Sequence, residues 1–269
     1  MPIPQTYTGD NAWRIPLHPV PARNPLSAKN NFLRGAIALA INGIPIFNPL
    51  NNRGEDAYRA GELDRWGGHC GRADDYHYHL APVHLQHQAG PGQPIAWALD
   101  GYPILGYTEP DGSAVRGLDH FNGHDLGTGY HYHATKNYPY LNGGFHGEVR
   151  EAGGQVDPQP RAQPLRPSLQ PLRGARIIGF TRQGNERFSV KYEVSGRPGY
   201  VTYHVTPKRS GTFTFVDTDG RRSTQTYTSK NSSNRFRSPR EKPVNREREE
   251  EELLRFFGPA GSEGGTRRR

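Results

Sequence analysis

Cysteine is almost absent from this sequence, since Cys70 is the only one among 269 residues. A single cysteine excludes an intrachain disulfide framework and leaves the redox compartment open. No apolar run reaches the roughly 18 to 20 residues that span a bilayer. Met1 leads directly into PIPQTYTGD, without the basic start and apolar stretch of a secretory signal. We therefore expect no transmembrane segment, and no export leader is visible.

Hydrophobic residues and helical patterns are also scarce. Only 33% of the residues are hydrophobic, the mean hydropathy is -0.85, and there are 33 glycines and 24 prolines. Such a composition is typical of a chain with many turns and loops, although its length suffices for a core. The sequence therefore predicts a mainly β protein with long irregular loops.

Three common catalytic signatures are missing. There is no Ser-His-Asp nucleophile elbow, no glycine-rich loop that would cradle a phosphate, and no pair of catalytic glutamates. The chemistry of the protein must therefore be sought among its 12 histidines.

A histidine-rich motif occurs twice. Residues 63–79 read LDRWGGHCGRADDYHYH and residues 118–133 read LDHFNGHDLGTGYHYH, so that seven positions align at an offset of 55 and four more at 54. The segments INGIPI (41–46) and LDGYPI (99–104) precede the two copies at an offset of 58. The sequence thus predicts two pseudo-repeats, at about 36–81 and 95–135, packed around a pseudo-two-fold axis.

With these motifs the sequence resembles the YHYH domain family, a group of mostly bacterial proteins named for the tetrapeptide. The resemblance covers about residues 15–147 and rests also on NGIPIFNP (42–49), ALDGYPILGY (98–107) and YPYLNGGFHG (138–147). The family implies no settled activity, but it implies an extracellular or periplasmic location. It also implies cysteines at three positions where this chain has Trp66, Phe121 and Gly144. Any disulfide or thiolate role of those cysteines is therefore absent here.

The spacing of the histidines predicts metal binding. Side chains at positions i and i+2 of a β-strand point to the same face, so each Tyr-His-Tyr-His presents two adjacent imidazoles. A third histidine lies one glycine-rich turn upstream, where Gly67, Gly68 and Gly123 would let the backbone bend tightly. Three imidazoles with an open position suit zinc or copper. The predicted ligands are His69, His77 and His79 in the first copy and His124, His131 and His133 in the second.

Alternatives remain open at this point. The histidines could instead form a metal-free ladder bonded to carboxylates or backbone, and a metal could occupy two separate sites or one shared site. The intervening tyrosines Tyr76, Tyr78, Tyr130 and Tyr132 are expected on the opposite face, as amphipathic core. The histidines without a repeated counterpart are expected not to be ligands; they are His18, His84, His87, His120 and His146, and His204 is expected to be an ordinary surface or core residue.

Two aspartates occupy equivalent places five residues before the first histidine of each set. Asp64 and Asp119 are the candidate catalytic residues, either orienting an imidazole or acting as general base on a metal-bound water. They could equally form Asx turns that cap the following loop, a role that we favour slightly. Asp100 has the same two interpretations, and its repeat partner Asn42 favours the turn.

The rest of the chain divides by composition. Residues 1–150 form the YHYH domain, 151–173 a Pro-rich linker, 174–228 an antiparallel β module, and 229–269 a charged, mostly disordered tail in which 245–257 could form a helix. Residues 1–150 carry a net charge of -2 and residues 151–269 one of +10. The basic C-terminal region is either solvated or binds an anionic surface or partner, and no specific nucleic-acid binding is expected. Its basic residues include Arg221, Arg222, Lys230, Arg235, Arg237, Arg240 and Lys242.

Two classes of function follow from these patterns. The protein is either a non-catalytic metal-binding or adhesion module, or a metal-dependent enzyme, hydrolytic with zinc and redox-active with copper. The lack of a repeated acid and base pair favours the first class.

Overall fold

The computed structural model describes residues 2–5, 7–127, 129–167, 172–206 and 210–228. This part is mainly β, as predicted, with only one short α-helix. The chain divides into two compact units, Met1–Pro164 and Leu165–Arg269. Their boundary falls inside the predicted linker, whose limits remain predictions. The predicted tail and its helix lie outside the described residues.

The first unit contains ten short strands. They are β1 (Pro21–Ser27), β2 (Ala36–Ala40), β3 (Pro45–Phe47), β4 (Gly68–Cys70), β5 (Tyr76–Tyr78), β6 (Ala96–Ala98), β7 (Pro103–Leu105), β8 (Gly123–Asp125), β9 (Tyr130–His133) and β10 (Gly144–Gly147). Eight of them form a mixed sheet in the order β4-β5-β3-β2-β6-β7-β9-β8, and β1 pairs with β10 separately.

Two hairpins, β2–β3 and β6–β7, form the middle of the eight-stranded sheet. The β2–β3 turn closes with hydrogen bonds between Ala40 and both Gly43 and Ile44, and Gly43 has a φ of 79°. The β6–β7 turn has the same form, and its Gly101 has a φ of 95°. Glycine suits both turns because other residues are strained at positive φ. The hairpins join where β2 pairs antiparallel with β6.

Each Tyr-His-Tyr-His strand is placed by a long-range parallel pairing that the sequence pattern did not predict. Ile46 of β3 pairs with Tyr78 of β5, and Ile104 of β7 pairs with Tyr132 of β9. The outer strands β4 and β8 then pair antiparallel with β5 and β9. The pairings on the two sides of β2–β6 thus correspond one to one. That the halves arose by duplication stays a prediction.

The core of the first unit lies around this sheet and includes side chains of both hairpins. Ile37, Ile46 and Ile104 have no exposed surface, and Phe32 packs edge-to-face on Phe145 with ring centroids 4.9 Å apart. Burial of such apolar side chains is the main term that stabilises a fold. The sheet that carries the histidines therefore has a well-buried support.

The second unit is an antiparallel meander, which confirms the prediction from alternating residues. Ser195 and Gly196, both at positive φ, connect its second and third strands in a two-residue turn. Its core includes Phe188, Tyr203 and Phe213. The five strands are β11 (Ala175–Gln183), β12 (Arg187–Val194), β13 (Arg197–Val205), β14 (Ser210–Val216) and β15 (Arg222–Thr228).

In the residues that the structure describes, helical structure occurs only between the two hairpins. A 3-10 turn, Val83–Leu85, leads into α1, Gln86–Ala89, between the two predicted pseudo-repeats. Within the described residues, no helix has the length and apolar character needed to cross a bilayer.

Candidate metal centres

The first cluster of histidines follows directly from strand register. His69 of β4 lies opposite His77 of β5 across the antiparallel pair. His79 follows two positions after His77 and therefore projects to the same face. The three side chains form a group that could hold a metal ion. We call His69, His77 and His79 the first centre.

The second cluster repeats this construction and adds a carboxylate. His124 of β8 lies opposite His131 of β9, and His133 follows two positions later. Glu109, in the loop after β7, completes the group. We call Glu109, His124, His131 and His133 the second centre. The six predicted ligands thus form two groups of three, not one shared cluster.

The Nε2 atoms of the first centre converge at short range. The distance from His77 Nε2 to His79 Nε2 is 3.2 Å, and that from His79 Nε2 to His69 Nε2 is 3.1 Å. Ligands about 2.0–2.1 Å from a tetrahedral zinc ion lie about 3.3 Å from one another. The three nitrogens are therefore spaced like the ligands of a first-row metal ion.

Distances in the second centre fall in the same range. His124 Nε2 lies 3.1 Å from His131 Nε2 and 3.2 Å from Glu109 Oε1. The other oxygen, Oε2, lies 3.4 Å from His131 Nε2 and 3.3 Å from His133 Nε2. Despite these short distances, Glu109 Oε1 and His133 Nε2 are buried and make no hydrogen bond to the described residues. Unpartnered buried polar atoms are costly, and a bound cation would satisfy both.

Backbone carbonyls orient the imidazoles of the first centre. His79 Nδ1 bonds the Asn48 carbonyl at 2.5 Å, His77 Nδ1 bonds that of Asp75 at 3.1 Å, and His69 makes a backbone hydrogen bond with Glu62. A carbonyl only accepts, so each of these ring nitrogens carries the proton. In the neutral tautomer Nε2 is then a bare lone pair directed at its neighbours. This second layer of contacts is typical of metal-ligating histidines.

The second centre has the same arrangement. Its three Nδ1 atoms bond the carbonyl oxygens of Arg116, Gly129 and Gly106 at 2.8, 3.1 and 3.0 Å respectively. Gly106 and Asn48 are separated by 58 residues, the same offset that relates INGIPI to LDGYPI. In both centres Nε2 is therefore the unprotonated nitrogen, whose lone pair could bind a metal ion.

Burial favours the neutral, metal-binding form of the imidazoles. It lowers the pKa of His79 to about 4, against the opposing effect of the Asn48 carbonyl. Burial also lowers the pKa of His77 well below its usual value, and the neighbouring imidazoles lower it further. The pKa values of His69 and His133 are lowered for the same main reason. The imidazoles of the first centre therefore stay unprotonated near neutral pH, which leaves their Nε2 lone pairs available to a metal ion.

The glycines before each cluster differ from the prediction. Gly67 bends the chain at a φ of 82°, and Asn122 does so at the equivalent position with a φ of 62°. Gly68 and Gly123, in contrast, do not adopt positive φ. A β-carbon at Gly68 would collide with Tyr76, and one at Gly123 with Tyr130. These two glycines make room for aromatic rings across the strand pair rather than a bend.

The motif tyrosines are anchored by acids and amides. The Tyr76 hydroxyl donates to Asp64 Oδ2 and that of Tyr130 to Asp119 Oδ2, both at 2.8 Å. The Tyr132 hydroxyl donates to Asp100 Oδ2 at 2.5 Å. The Tyr78 hydroxyl instead accepts from Asn42, the repeat partner of Asp100, at 3.1 Å.

Asp64 and Asp119 form the Asx turns that the sequence allowed. Asp64 Oδ1 accepts from the amides of Trp66 and Gly68, and Asp119 Oδ1 accepts from the equivalent amides of Phe121 and Gly123. The second oxygen of each is taken by a tyrosine. Both carboxylates thus serve to shape the loop that delivers His69 or His124.

The remaining histidines lie outside the two clusters. His84 packs on Trp66, His120 on Phe121, and His146 stacks on Tyr130 with ring centroids 3.7 Å apart. His204 in the second unit bonds Glu186 at 2.9 Å. None of these belongs to a group that could hold a metal among the described residues.

Glu109 is the site residue that the sequence analysis missed. It lies outside both Tyr-His-Tyr-His motifs, and Asn51 precedes it at the same offset of 58 that relates the two hairpins. Extending the alignment beyond Ile46 and Ile104 would have placed these two residues at one position. Only the fold shows that this position faces the histidines.

Comparison with known proteins supports the resemblance noted in the sequence. Residues 12–115 match the family model described as YHYH protein, which confirms a YHYH domain in this part of the chain. No curated protein and no solved structure matches the chain significantly. The chemistry of the two centres must therefore be argued from their own geometry.

Proposed function

We propose that the protein binds two metal ions, one in each centre. The observation that carries this proposal is the convergence of bare Nε2 atoms at 3.1 and 3.2 Å in the first centre. Lone pairs of neutral imidazoles repel one another at this distance unless a cation lies between them. The group formed by His69, His77 and His79 contains no carboxylate that would supply a compensating charge.

The donor set limits the choice of metal. Imidazole suits zinc, copper, iron and nickel, whereas calcium and magnesium prefer oxygen ligands. Three or four donors with edges near 3.3 Å fit the tetrahedral geometry of zinc or the low coordination numbers of copper. We therefore propose zinc or copper as the bound metal.

Metal analysis of purified variants tests the proposal. The wild-type protein, saturated with zinc or copper and freed of excess, should carry two ions per chain. His77→Ala/His79→Ala should carry one, and the matched variant His131→Ala/His133→Ala should also carry one. Loss of both ions in either variant would point to a single shared site. Absence of bound metal in the wild-type protein would reject the proposal.

A metal-dependent enzyme is the second candidate function. It is favoured by one observation: His69 is only partly buried, so that solvent can approach the first centre. A zinc ion with three imidazole ligands lowers the pKa of a bound water and supports hydrolysis, whereas copper supports redox chemistry. Screening ester, phosphoester and phenol substrates with the metal-loaded protein, against His77→Ala/His79→Ala as control, tests this candidate.

Two expectations on the surroundings of the protein stay predictions. A location outside the cytoplasm is supported by the family resemblance. Binding of an anionic surface is supported by the net charge of +10 after residue 150. Arg221 and Arg222 are two exposed basic residues of this region.

A further inference from the structure

The two centres occupy equivalent positions, yet they differ in one donor. The loops after β3 and β7 have the same backbone bonds, since Asn51 bonds Glu55 and Gly54 just as Glu109 bonds Ser113 and Gly112. The bridges Leu50↔Asp56 and Thr108↔Ala114 also correspond. Asn51 and Glu109 are thus the same structural position.

The side chains at this position do different things. Glu109 directs both oxygens at the imidazoles of the second centre. Asn51 is instead used within its own loop: Oδ1 accepts from the amides of Arg53 and Glu55, and Nδ2 donates to Glu55 and Glu62. All the hydrogen-bonding capacity of Asn51 is engaged, so it contributes no donor to the first centre.

Glu62 is the carboxylate that could replace the missing donor. It acts electrostatically on His69 and His79. However, its Oε1 is held by Asn51 at 3.1 Å and pairs closely with Arg53. Arg53 also bonds Glu55 at 2.6 Å. The loop that contains Asn51 thus engages the carboxylate of Glu62, which does not belong to the group of ligands.

Charge and exposure differ in the same direction. A divalent ion with three neutral imidazoles keeps its full charge of about +2, whereas a glutamate reduces it to about +1. All four donors of the second centre are buried, but His69 of the first is partly exposed. The first centre therefore combines higher charge, a missing ligand and access from solvent.

We infer that the first centre keeps an open coordination position for a small anion from solution, whereas Glu109 closes the second. This inference rests on the proposed metal binding. In this inference, the metal ion bound by His69, His77 and His79 exchanges a further ligand with solution. The metal ion of the second centre is held by its four protein ligands and does not. The ligand class is a small donor anion such as hydroxide or azide.

Cobalt(II) with sodium azide tests the inference, because the visible spectrum of cobalt reports its ligands. The protein retaining only the first centre is His131→Ala/His133→Ala, and the one retaining only the second is His77→Ala/His79→Ala. We expect a saturable spectral change with azide in the former and none in the latter. In the latter background, Glu109→Asn, which copies the residue at position 51, should create an azide response.

The outcomes separate this inference from the proposal on which it rests. If the wild-type protein and both double variants fail to bind cobalt while far-UV circular dichroism shows a native fold, metal binding itself is rejected. If the wild-type protein binds cobalt and neither double variant does, the centres are not independent and the inference is overturned. If both bind cobalt but the second centre responds to azide as the first does, only the asymmetry is overturned. A first centre that responds only after Glu62→Gln would show that Glu62 closes it, and would also overturn the inference.

Discussion

Each motif histidine uses its two ring nitrogens for different purposes. Nδ1 is fixed by a carbonyl such as that of Asn48 or Gly106, and Nε2 is left for the cluster. Such a bond fixes both the tautomer and the direction of the lone pair. The cost of burying imidazoles is thereby reduced on one side of the ring only. On the other side, the proposed metal ion would offset it.

Without metal, these imidazoles should make stability depend on pH. The pKa of His79 is about 4 in the folded protein, against about 6.5 for an unperturbed histidine. Between these values the unfolded chain binds a proton that the folded chain does not, so the free energy of unfolding falls as the pH falls. Urea unfolding of the chelator-treated protein between pH 7 and pH 4 should show this decrease. His79→Gln should reduce the slope, and an unchanged slope would contradict the assignment.

The turn aspartates should matter for folding rather than for proton transfer. Asp119→Ala removes the acceptor for two amides and the Tyr130 hydroxyl, so we expect a loss of about 1–3 kcal/mol in the free energy of unfolding. Asp119→Asn keeps an oxygen for the amides and should lose less, while the metal content stays unchanged. Chemical unfolding and metal analysis of both variants check this. Loss of metal in Asp119→Asn without loss of stability would indicate a direct role at the centre.

At the scale of the strands, a tyrosine hydrogen bond connects each Tyr-His-Tyr-His strand to a hairpin turn. Tyr132 of β9 reaches Asp100 in the β6–β7 turn, and Asp100 also accepts from the Gly147 amide of β10. Tyr78 of β5 meets Asn42 in the β2–β3 turn. These hydrogen bonds add side-chain contacts to the backbone pairings of β5 with β3 and of β9 with β7.

The hydrogen bonds of Tyr132 and Tyr78 allow a matched comparison of two tyrosine variants. Burial raises the pKa of Asp100, and the hydrogen bond from Tyr132 opposes that shift. Tyr132→Phe leaves a buried carboxylate with one donor fewer, so we expect a loss of about 1.5–3 kcal/mol, against about 0.5–1.5 kcal/mol for Tyr78→Phe, whose partner is a neutral amide. Thermal unfolding of both variants measures the difference. Equal losses would show that the charge of Asp100 does not contribute.

The strands also show what the sequence can and cannot predict. Period-two spacing places His77 with His79 on one face without knowledge of the fold, and alternation gives the meander of the second unit in the same way. The parallel pairing of Ile104 with Tyr132 is different, because it joins segments 28 residues apart and depends on burial of both hairpins. Glu109 lies in the loop after β7, and the fold brings it to the histidines of β8 and β9. Its position could therefore not be read from local spacing.

At the scale of the whole molecule, both candidate centres belong to the first unit. The second unit has its own core around Phe213 and, in its described residues, no group that could hold a metal. A ligand stabilises only the part of a protein whose folding creates its site. The two units should consequently respond differently to metal.

Removal of metal should destabilise the first unit alone. At a free metal concentration 100 times the dissociation constant, each site contributes about 2.7 kcal/mol, so two sites contribute about 5 kcal/mol that a chelator removes. Amide hydrogen exchange should accelerate in β5 and β9 after chelation and recover when zinc is restored, while β12 and β13 in the same sample serve as the internal control. Equal acceleration in both units would mean that chelation acts on the whole chain. Unchanged exchange in β5 and β9 would mean that neither centre contributes binding energy to the fold, because loss of an ion bound by side chains of these strands should loosen the strands that carry them.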